Sequence, residues 1–388
     1  MRILMLSDVY FPRVNGVSTS IKTFRRCLTD LSHEVFLIAP AYGPHDEKDE
    51  RLFRIPSRYL LIDPEDRILR KKEVLRLQNT LAELAIDIVH IQTPFIAHYS
   101  GLKLARLLDV PCVETYHTHF EEYLYHYLPL LPKSIVRTVT RWFTRQQCSE
   151  VDALIVPSQA MLEVAKEYRV NTPIEIIPTG IEERFFNGCD KTHFRTQHGI
   201  GEDRPVLMHI GRVAHEKNIG FLLEVLALVR QTIPDVLLVI AGQGPALGAL
   251  KKQGKTQNLQ HNLLFVGYQE REKALLDCYC AGDVFVFASR TETQGLVLLE
   301  AMALGVPVVS TAMMGTKDIL QPGKGALIAQ EEPNDFAGKV IELLRNPQLR
   351  EQLAQEGRAY GRSWSPQTMA RKMVSCYQNV LAARHPMN

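Results

Sequence analysis

The stretch Ser289-Arg-Thr-Glu-Thr-Gln-Gly-Leu-Val-Leu-Leu-Glu-Ala-Met-Ala-Leu-Gly-Val-Pro-Val-Val-Ser310 decides how this chain folds. An apolar run from Val284 to Ala288 precedes it and predicts a buried strand that leads into a polar loop. Gly295 and Gly305 bracket an apolar helical segment, and a β-branched run follows Pro307. The order strand, loop, helix, turn, strand is that of a parallel α/β unit.

Two glutamates flank the start of this helix. Glu292 lies in the preceding loop, and Glu300 lies eight residues further on, inside the apolar helix. The backbone N–H groups of Gly295, Leu296 and Val297 are expected to be free at the positive end of the helix dipole, where phosphate is favoured. Either glutamate alone fits a solvated loop residue or the polar edge of a core helix. Together they favour a site for a phosphate whose attached sugars donate hydroxyl groups.

Length and composition indicate a soluble globular protein. A chain of 388 residues exceeds the usual size of one core, so two domains are expected. Hydrophobic residues make up 46% and charged residues 23%, with a net charge of +2, so the total charge does not point to nucleic acid. Asp8 interrupts the first apolar run too early for a signal peptide or membrane span, which predicts a chain without either.

The cysteines form no regular framework. Their odd number predicts reduced thiols in a cytosolic protein, and a zinc site at Cys278 and Cys280 is not expected because the two side chains diverge around a helix. The seven are Cys27, Cys112, Cys148, Cys189, Cys278, Cys280 and Cys376.

Short apolar runs recur through the first half with helical patterns between most of them, which predicts a parallel, doubly wound sheet. They are Ile3–Leu6, Val35–Ala39, Ile88–Ile91, Cys112–Thr115, Ala153–Val156 and Ile174–Ile177. Gly16 follows the first strand and either lets backbone approach a phosphate or sugar closely or is a turn glycine. The loop lacks the G-x-G-x-x-G pattern, which argues against a nicotinamide dehydrogenase.

His117 follows the Cys112 strand at the sheet edge where α/β proteins bind ligands. Three interpretations compete: a structural histidine, a metal site with His119 and a nearby glutamate, and a sugar contact. Metal is the least favoured of these, because the chain has no Asp-x-Asp and no second ligand cluster. No metal and no cofactor are expected.

The second half carries the predicted phosphate ligands. Arg212 and Lys217 follow a strand at Val206–Ile210, and two cations there can neutralise a diphosphate. Gly242 and Gly244 predict a tight turn after the strand Leu237–Ala241. The strand Leu263–Val266 leads to Gly267 and Tyr268, which can present backbone and an aromatic edge to a base.

A basic helical stretch lies before residue 150. Its cations recur every four residues without an intervening acid, and each basic residue near an anionic bilayer adds about 1 kcal/mol of attraction. The residues assigned to a membrane-binding face are Lys133, Arg137, Arg141, Trp142 and Arg145. The alternative is a solvated basic face packed on an apolar core stripe. The apolar residues on the other sides of the helix are Ile135, Val136, Val139, Trp142 and Phe143.

The pattern E-T-x-G-L-V-L-L-E-A-M-A-x-G-x-P-V-V, with its Glu-x7-Glu element, resembles the retaining glycosyltransferases of family 4, which have the GT-B fold of two Rossmann-like domains facing across a cleft. The resemblance implies domains at 1–190 on the acceptor side and 191–362 on the nucleotide-sugar side. Residues 363–388 would form a helix that crosses back to the first domain. Such enzymes need no obligatory metal, and their co-substrate is a nucleotide diphosphate sugar, here expected to be UDP-linked.

The resemblance also implies roles for individual residues. Arg212 and Lys217 would clamp the diphosphate, Glu292 would hold hydroxyls of the transferred sugar, and Glu300 would hold the ribose. The base would lie between Val266 and Tyr268. Gly16 and His117 of the first domain would face the reacting sugar.

The segment Tyr116-His-Thr-His119 and the basic helix resemble, more specifically, the branch that glucosylates diacylglycerol. The Val-Asn-Gly-Val-Ser sequence after Arg13 is shared with branches that build sulfolipid, mannolipids or lipopolysaccharide. Gln294 departs from the family, where an aromatic residue is frequent, so the donor sugar is not fixed.

The leading hypothesis is thus a hexosyltransferase that moves glucose to a membrane acceptor such as diacylglycerol, at the inner face of the membrane. Transfer to lipopolysaccharide or another polysaccharide is an alternative. A UDP-sugar epimerase and a non-catalytic membrane-binding module represent other classes; the first needs no acceptor and the second consumes no donor.

Overall fold

The structure, a computed structural model, describes residues 1–43, 49–59, 67–117, 133–269 and 273–384, with the backbone alone for residue 59 and for 133–136. The chain forms two compact units. Unit 1 comprises Met1–Gly180 and Pro366–Asn388, and unit 2 comprises Ile181–Ser365.

Unit 1 is an α/β unit with one large sheet. Its strands are β1 (Arg2–Leu6), β2 (Glu34–Pro40), β3 (Leu52–Ile55), β4 (Ser57–Tyr59), β5 (Arg67–Leu69), β6 (Ile88–Ile91), β7 (Cys112–Thr115), β8 (Ala153–Val156) and β9 (Ile174–Ile176). Its helices are α1 (Gly16–Asp30), α2 (Lys71–Arg76), α3 (Gln78–Glu83), α4 (Ile96–Leu108), α5 (Lys133–Cys148) and α6 (Gln159–Glu167), with a last helix at Pro366–Arg384.

The large sheet of unit 1 has the order β3-β2-β1-β6-β7-β8-β9, with every pair parallel. Ile3 and Met5 face one core with α1, whereas Leu4 and Leu6 face the other with α4. Both faces are covered, which explains why these strands are continuously apolar rather than alternating. The direction of winding reverses between β1 and β6, and ligands of such sheets bind where this reversal occurs.

The last helix, Pro366–Arg384, packs on α1 and contributes Met373 and Tyr377 to the core of unit 1. The hydroxyl of Tyr377 lies 2.7 Å from Nδ1 of His90 on β6. On the other side of this ring, Nε2 lies 2.7 Å from the hydroxyl of Thr115. His90 therefore joins the last helix to the centre of the sheet.

Unit 2 is a second α/β unit. Its strands are β10 (Val206–Ile210), β11 (Leu237–Ala241), β12 (Leu263–Gly267), β13 (Val284–Phe287), β14 (Val308–Ser310) and β15 (Ala326–Ile328). Its helices are α7 (Lys191–Gln197), α8 (Ile219–Thr232), α9 (Leu247–Thr256), α10 (Lys273–Cys280), α11 (Leu296–Ala303), α12 (Thr316–Leu320), α13 (Pro333–Arg345) and α14 (Pro347–Ser363). We number the helix Pro366–Arg384 of unit 1 as α15.

The sheet of unit 2 has the order β12-β11-β10-β13-β14-β15, again wholly parallel. One core lies against α10 and α11, and the other against α8 and α13. The winding reverses between β10 and β13, so the loops that follow these two strands are neighbours. The predicted α/β fold class is confirmed, and the predicted strands are found with their bounds shifted by no more than two residues.

The expectation that all seven cysteines are reduced thiols is wrong for two of them. Cys189 and Cys280 form a disulfide whose Cα atoms lie 6.3 Å apart, within the usual range for such bonds. Cys280 ends α10, and Cys189 precedes α7, which packs on α10. The pairing joins residues 91 positions apart, so only the tertiary structure brings them together. Among the described residues, no helix is long and apolar enough to cross a membrane.

Candidate active site

The loops at the carboxyl edge of the unit 2 sheet are tied to one another by backbone hydrogen bonds. Gly211 N–H donates to the carbonyl oxygen of Ala241 at 3.0 Å, and Gly242 N–H donates to that of Gly267 at 2.7 Å. A Cβ on Gly242 would lie 1.9 Å from the carbonyl oxygen of Gly211, so no other residue fits there. Gly244 likewise approaches the backbone of Val213, so close backbone contact rather than the predicted tight turn requires these glycines, and it fixes the loop that carries Arg212.

Lys217 and Glu292 form an ion pair across the reversal point of this sheet. Lys217 ends a short 3-10 turn after β10, and Glu292 lies in the loop after β13. Both side chains are mostly but not fully buried, at 21% and 17% exposure, so the ammonium keeps some access to solvent. An ammonium has three N–H donors and can bind a phosphate while it remains paired with a carboxylate.

The helix α11 starts beside Glu292 without a capping side chain. Gly295 occupies the N-cap position with φ of +95°, a left-handed conformation that favours glycine, and none of the described side chains caps the helix there. Gly315 N–H donates to the carbonyl oxygen of Glu292 at 2.8 Å and holds the loop in place. The first N–H groups of α11, from Leu296 and Val297, thus remain suited to an anion.

Glu300 lies inside α11 and is 2% exposed. The hydroxyl of Tyr279, from α10, donates to Oε2 of Glu300 at 2.6 Å. A buried carboxylate needs such donors, because water cannot solvate it. The second glutamate is therefore a fixed acceptor in the interior of unit 2, whereas Glu292 is closer to solvent.

The other predicted residues of unit 2 lie at the same sheet edge. Arg212 follows β10 and is partly buried. Val266 belongs to β12 and is partly buried, and Tyr268, just after that strand, is exposed. Because parallel strands end at one edge, all of these residues are placed with Lys217 and Glu292 rather than scattered over the unit.

His209 on β10 is a residue of this region that sequence reasoning missed. It is fully buried, its Nδ1 lies 3.1 Å from the carbonyl oxygen of Val286, and its ring stacks on Phe287. Burial lowers its pKa to about 4; the charge of Lys217 acts in the same direction and that of Glu292 in the opposite one. A single polar residue in the apolar run Val206–Ile210 is the signal that could have found it.

The predicted site residues of unit 1 lie at the edge of its own sheet. Gly16 begins α1, the side chain of Asn15 caps this helix by accepting from Ser18 N–H at 2.8 Å, and a Cβ built on Gly16 would meet nothing within 4 Å. His117 follows β7, and its Nε2 lies 3.0 Å from Oε1 of Gln92, which follows β6. Burial lowers the pKa of His117 to about 4, so its ring is neutral near pH 7.

Asp8 follows β1, and the sequence predicted no site role for it. Its carboxylate accepts from the hydroxyl of Thr93 and from Ala97 N–H, both at 2.9 Å. Burial raises its pKa to about 6, and the hydrogen bonds counteract only part of that shift. The side chain joins β1 to the start of α4.

The basic helix α5 differs from its sequence interpretation. Val139 and Trp142 are exposed, at 57% and 64%, and so is Phe143, whereas Thr140 and Thr144 are buried. Of the apolar residues assigned to a core stripe, Val139, Trp142 and Phe143 are therefore not buried, and the described buried positions include polar ones such as Thr140 and Thr144. Glu167 neutralises part of the basic face, because it pairs with Arg141 at 2.5 Å and Arg137 at 3.5 Å.

Arg145 is exposed, and the side chain of Lys133 lies outside the described residues. His119 and its neighbouring glutamates, weighed above as metal ligands, also lie outside them. Over the described part of the chain, no group of three or more His, Cys, Asp or Glu residues is placed to hold a metal ion.

Two family models together match most of the chain. The model described as Glycosyltransferase Family 4 matches residues 14–185, and the one described as Glycosyl transferases group 1 matches residues 190–360. An alpha-monoglucosyldiacylglycerol synthase of Streptococcus pneumoniae is 32% identical, over 92% of this chain and 81% of the relative. The chain belongs to glycosyltransferase family 4.

Further relatives of this glycosyltransferase extend the comparison. An alpha-monoglucosyldiacylglycerol synthase of Acholeplasma laidlawii is 26% identical over 98% of both chains. Among solved structures, a sucrose-phosphate synthase from Thermosynechococcus elongatus matches with a TM-score of 0.79 at 20% identity over 98% of this chain and 99% of the other. Anabaena HepE in complex with UDP-glucose matches with a TM-score of 0.78 at 17% identity, over 98% of this chain and all 100% of HepE. The fold is GT-B.

Proposed function

We propose that this glycosyltransferase moves glucose from UDP-glucose to diacylglycerol or a closely related membrane lipid, with retention of the anomeric configuration. The observation that carries the donor part is the Lys217–Glu292 ion pair beside the uncapped start of α11. Together these elements provide a cation, backbone N–H groups and a hydroxyl acceptor. A sugar diphosphate requires these three kinds of group for binding its phosphates and its hydroxyls.

In this proposal Arg212 and Lys217 bind the diphosphate and stabilise the negative charge that develops on it as the glycosidic bond breaks. Glu292 accepts hydroxyl groups of the glucose, and Glu300 accepts those of the ribose. Val266 and Tyr268 lie against the base. No residue of this set supplies a metal ligand cluster, so the cations of the chain itself offset the phosphate charge.

Gly16 and His117 act on the acceptor side. A neutral His117 that donates through Nε2 to Gln92 keeps Nδ1 as an acceptor, which can hold a sugar hydroxyl near the reacting carbon. Apart from its chain neighbours and the backbone of its own helix, no described residue comes within 4 Å of a Cβ built on Gly16, which leaves space for a ligand at the start of α1.

The acceptor and the membrane association are supported by α5 and by the relatives. An exposed Trp142 and Val139 next to exposed basic residues form an amphipathic face that can bury apolar area in a bilayer. Two relatives that align over most of this chain are named for glucosylation of diacylglycerol. The chain would therefore work at a membrane surface without spanning it.

The decisive experiment measures release of UDP from UDP-glucose by the full chain, with vesicles that contain diacylglycerol and with vesicles that lack it. Product analysis by NMR reports the anomeric configuration. Release that depends on diacylglycerol, with an α-linked product, supports the proposal. Acceptor-independent conversion of UDP-glucose to another sugar nucleotide would indicate an epimerase instead, and binding to vesicles without donor consumption would indicate a membrane module.

A matched screen replaces one substrate at a time. GDP-mannose or another nucleotide sugar in place of UDP-glucose tests the donor, and lipopolysaccharide or sulfolipid precursors in place of diacylglycerol test the acceptor. Preference for any of these pairs by tenfold or more in kcat/KM would overturn the assignment of glucose and diacylglycerol but leave the transferase chemistry intact.

A further inference from the structure

The imidazole of His209 has a defined donor and acceptor side. Its Nδ1 lies 3.1 Å from the carbonyl oxygen of Val286, and a carbonyl oxygen can only accept. The Nδ1 nitrogen therefore carries the proton, and Nε2 presents a lone pair. Stacking on Phe287, with ring centroids 5.7 Å apart, holds the ring in this orientation.

Nε2 is buried and has no hydrogen-bond partner among the described residues. A buried acceptor without a donor costs about 1–3 kcal/mol, and such atoms are rare in native proteins. The cost suggests that a ligand supplies the missing donor.

Nε2 lies next to a loop of the candidate active site. A Cβ built on Gly211 would lie 3.8 Å from Nε2, so the atom is close to the start of the loop that continues to Lys217. His209 lies on the β10 side of the reversal point, on the strand that leads into the loop of Lys217.

The chemistry of a neutral acceptor selects its ligand group. A lone pair cannot bind a phosphate oxygen, which offers no proton at neutral pH, but it binds a hydroxyl. A pKa of about 4 keeps the ring neutral and accepting over the physiological range. The cations of the site suit the diphosphate, and the sugar of the donor is the part that carries hydroxyl groups.

We propose that Nε2 of His209 accepts a hydrogen bond from a hydroxyl of the sugar of the bound nucleotide sugar. His209 is then a specificity-determining residue of the donor site. This inference rests on the proposed function, because it assigns part of the same site.

The test compares ligands with and without the sugar. The dissociation constants of UDP-glucose and of UDP are measured by calorimetry for the full chain, for His209→Phe, which keeps a flat ring, and for His209→Gln, whose amide oxygen can reach the position of Nε2. We expect His209→Phe to raise the dissociation constant of UDP-glucose by about 3- to 30-fold and to change that of UDP by less than about twofold. His209→Gln should restore part of the lost UDP-glucose binding. Equal weakening of both ligands, or of neither, would overturn the proposal.

A measurement on the unaltered chain covers the case in which the variants fail to fold. Histidine labelled with 15N reports the tautomer of each ring. His209 is expected as the tautomer protonated at Nδ1, with an Nε2 resonance typical of a nitrogen without a hydrogen bond. Addition of UDP-glucose should shift this Nε2 resonance upfield by several ppm, and UDP alone should not. A chain that binds UDP-glucose with an unmoved Nε2 refutes this inference alone, whereas a chain that binds no nucleotide sugar refutes the proposed function and this inference with it.

Discussion

The hydroxyl of Tyr279 donates a 2.6 Å hydrogen bond to Oε2 of Glu300 in the interior of unit 2. The tyrosine belongs to α10 and the glutamate to α11, so this bond joins the two helices that cover one face of the sheet. It also orients a carboxylate that the proposed function assigns to the ribose.

Tyr279→Phe should therefore lower both stability and donor binding. Loss of a donor to a buried carboxylate should reduce the free energy of unfolding by about 1–3 kcal/mol, measured by urea denaturation. KM for UDP-glucose should rise more than kcat falls, because the ribose contact is made in the ground state. Tyr377→Phe, which removes a buried hydroxyl from unit 1, is the control: it should cost stability but leave KM unchanged. An unaltered KM in Tyr279→Phe would remove Glu300 from the donor site.

Lys217→Ala should lower kcat/KM by about 10²-fold or more and weaken inhibition by UDP. The substitution removes a cation that the proposed function assigns to the diphosphate, and it leaves Glu292 without its partner in the ion pair. Lys339→Ala is the matched control, because Lys339 pairs with Asp335 at 3.1 Å in the same unit but on α13. The kcat/KM values of the two variants, measured in steady-state assays, should differ by the same factor of about 10². Similar activity in both would show that Lys217 is a surface charge.

Glu292→Ala, unlike Lys217→Ala, should not weaken inhibition by UDP. Removal of a negative charge beside Lys217 leaves UDP inhibition equal or stronger, while transfer of glucose falls by about 10²-fold because the sugar loses its hydroxyl acceptor. Inhibition constants and initial rates measure the two quantities separately. Glu342→Ala, on the exposed face of α13, serves as the control. Full transfer activity in Glu292→Ala with every acceptor would overturn the site assignment.

Asp8→Asn should remove the part of the pH dependence of stability that Asp8 contributes between about pH 4 and pH 6. The folded pKa of Asp8 is about 6, above the ordinary value of 3.8, so the folded chain holds a proton that the unfolded chain has released. The free energy of unfolding contributed by this group therefore falls as pH rises through this window, by about 3 kcal/mol in total. Other groups titrate here too: His90, with its pKa lowered to about 3 by burial, contributes in the opposite direction.

The difference between the wild-type chain and Asp8→Asn isolates the Asp8 contribution. Urea denaturation at intervals of half a pH unit should show the difference changing between pH 4 and 6 and staying constant above about 7. Parallel stability curves for the two chains would mean that Asp8 has an ordinary pKa.

Val139→Ser combined with Trp142→Ser should reduce binding to anionic vesicles by tenfold or more. These side chains are exposed on α5 and would bury apolar area at about 25 cal/mol per Å² in a bilayer. Sedimentation with vesicles that contain phosphatidylglycerol measures the partition coefficient. Ile328→Ser, a comparably exposed aliphatic residue of unit 2, is the control and should leave binding unchanged.

Replacement of Lys133, Arg137, Arg141 and Arg145 by Ser tests the electrostatic part separately. The salt dependence of binding should become weaker in this variant, because fewer charges meet the lipid surface. Unchanged vesicle binding in both sets of variants would show that α5 is an ordinary exposed helix.

The sequence by itself determined the elements and the edge on which the site lies. A run such as Leu237–Ala241 is continuously apolar because both faces of a parallel sheet are buried, so its bounds could be predicted to the residue. Gly242, Arg212 and Glu292 then had to follow strand ends, since a loop residue after a parallel strand has no other edge to occupy. These predictions depend on local patterns, which the sequence contains in full.

Only the tertiary structure decided which of these residues meet. Lys217 and Glu292 are 75 residues apart and pair because β10 and β13 are neighbours at the point where the winding reverses, an arrangement that no local pattern encodes. The same holds for Cys189 with Cys280 and for the exposed side of α5, where helical periodicity shows an amphipathic helix but not which face is covered. The unpartnered Nε2 of His209 is likewise visible only in three dimensions, because a missing hydrogen bond is a property of the surroundings of an atom.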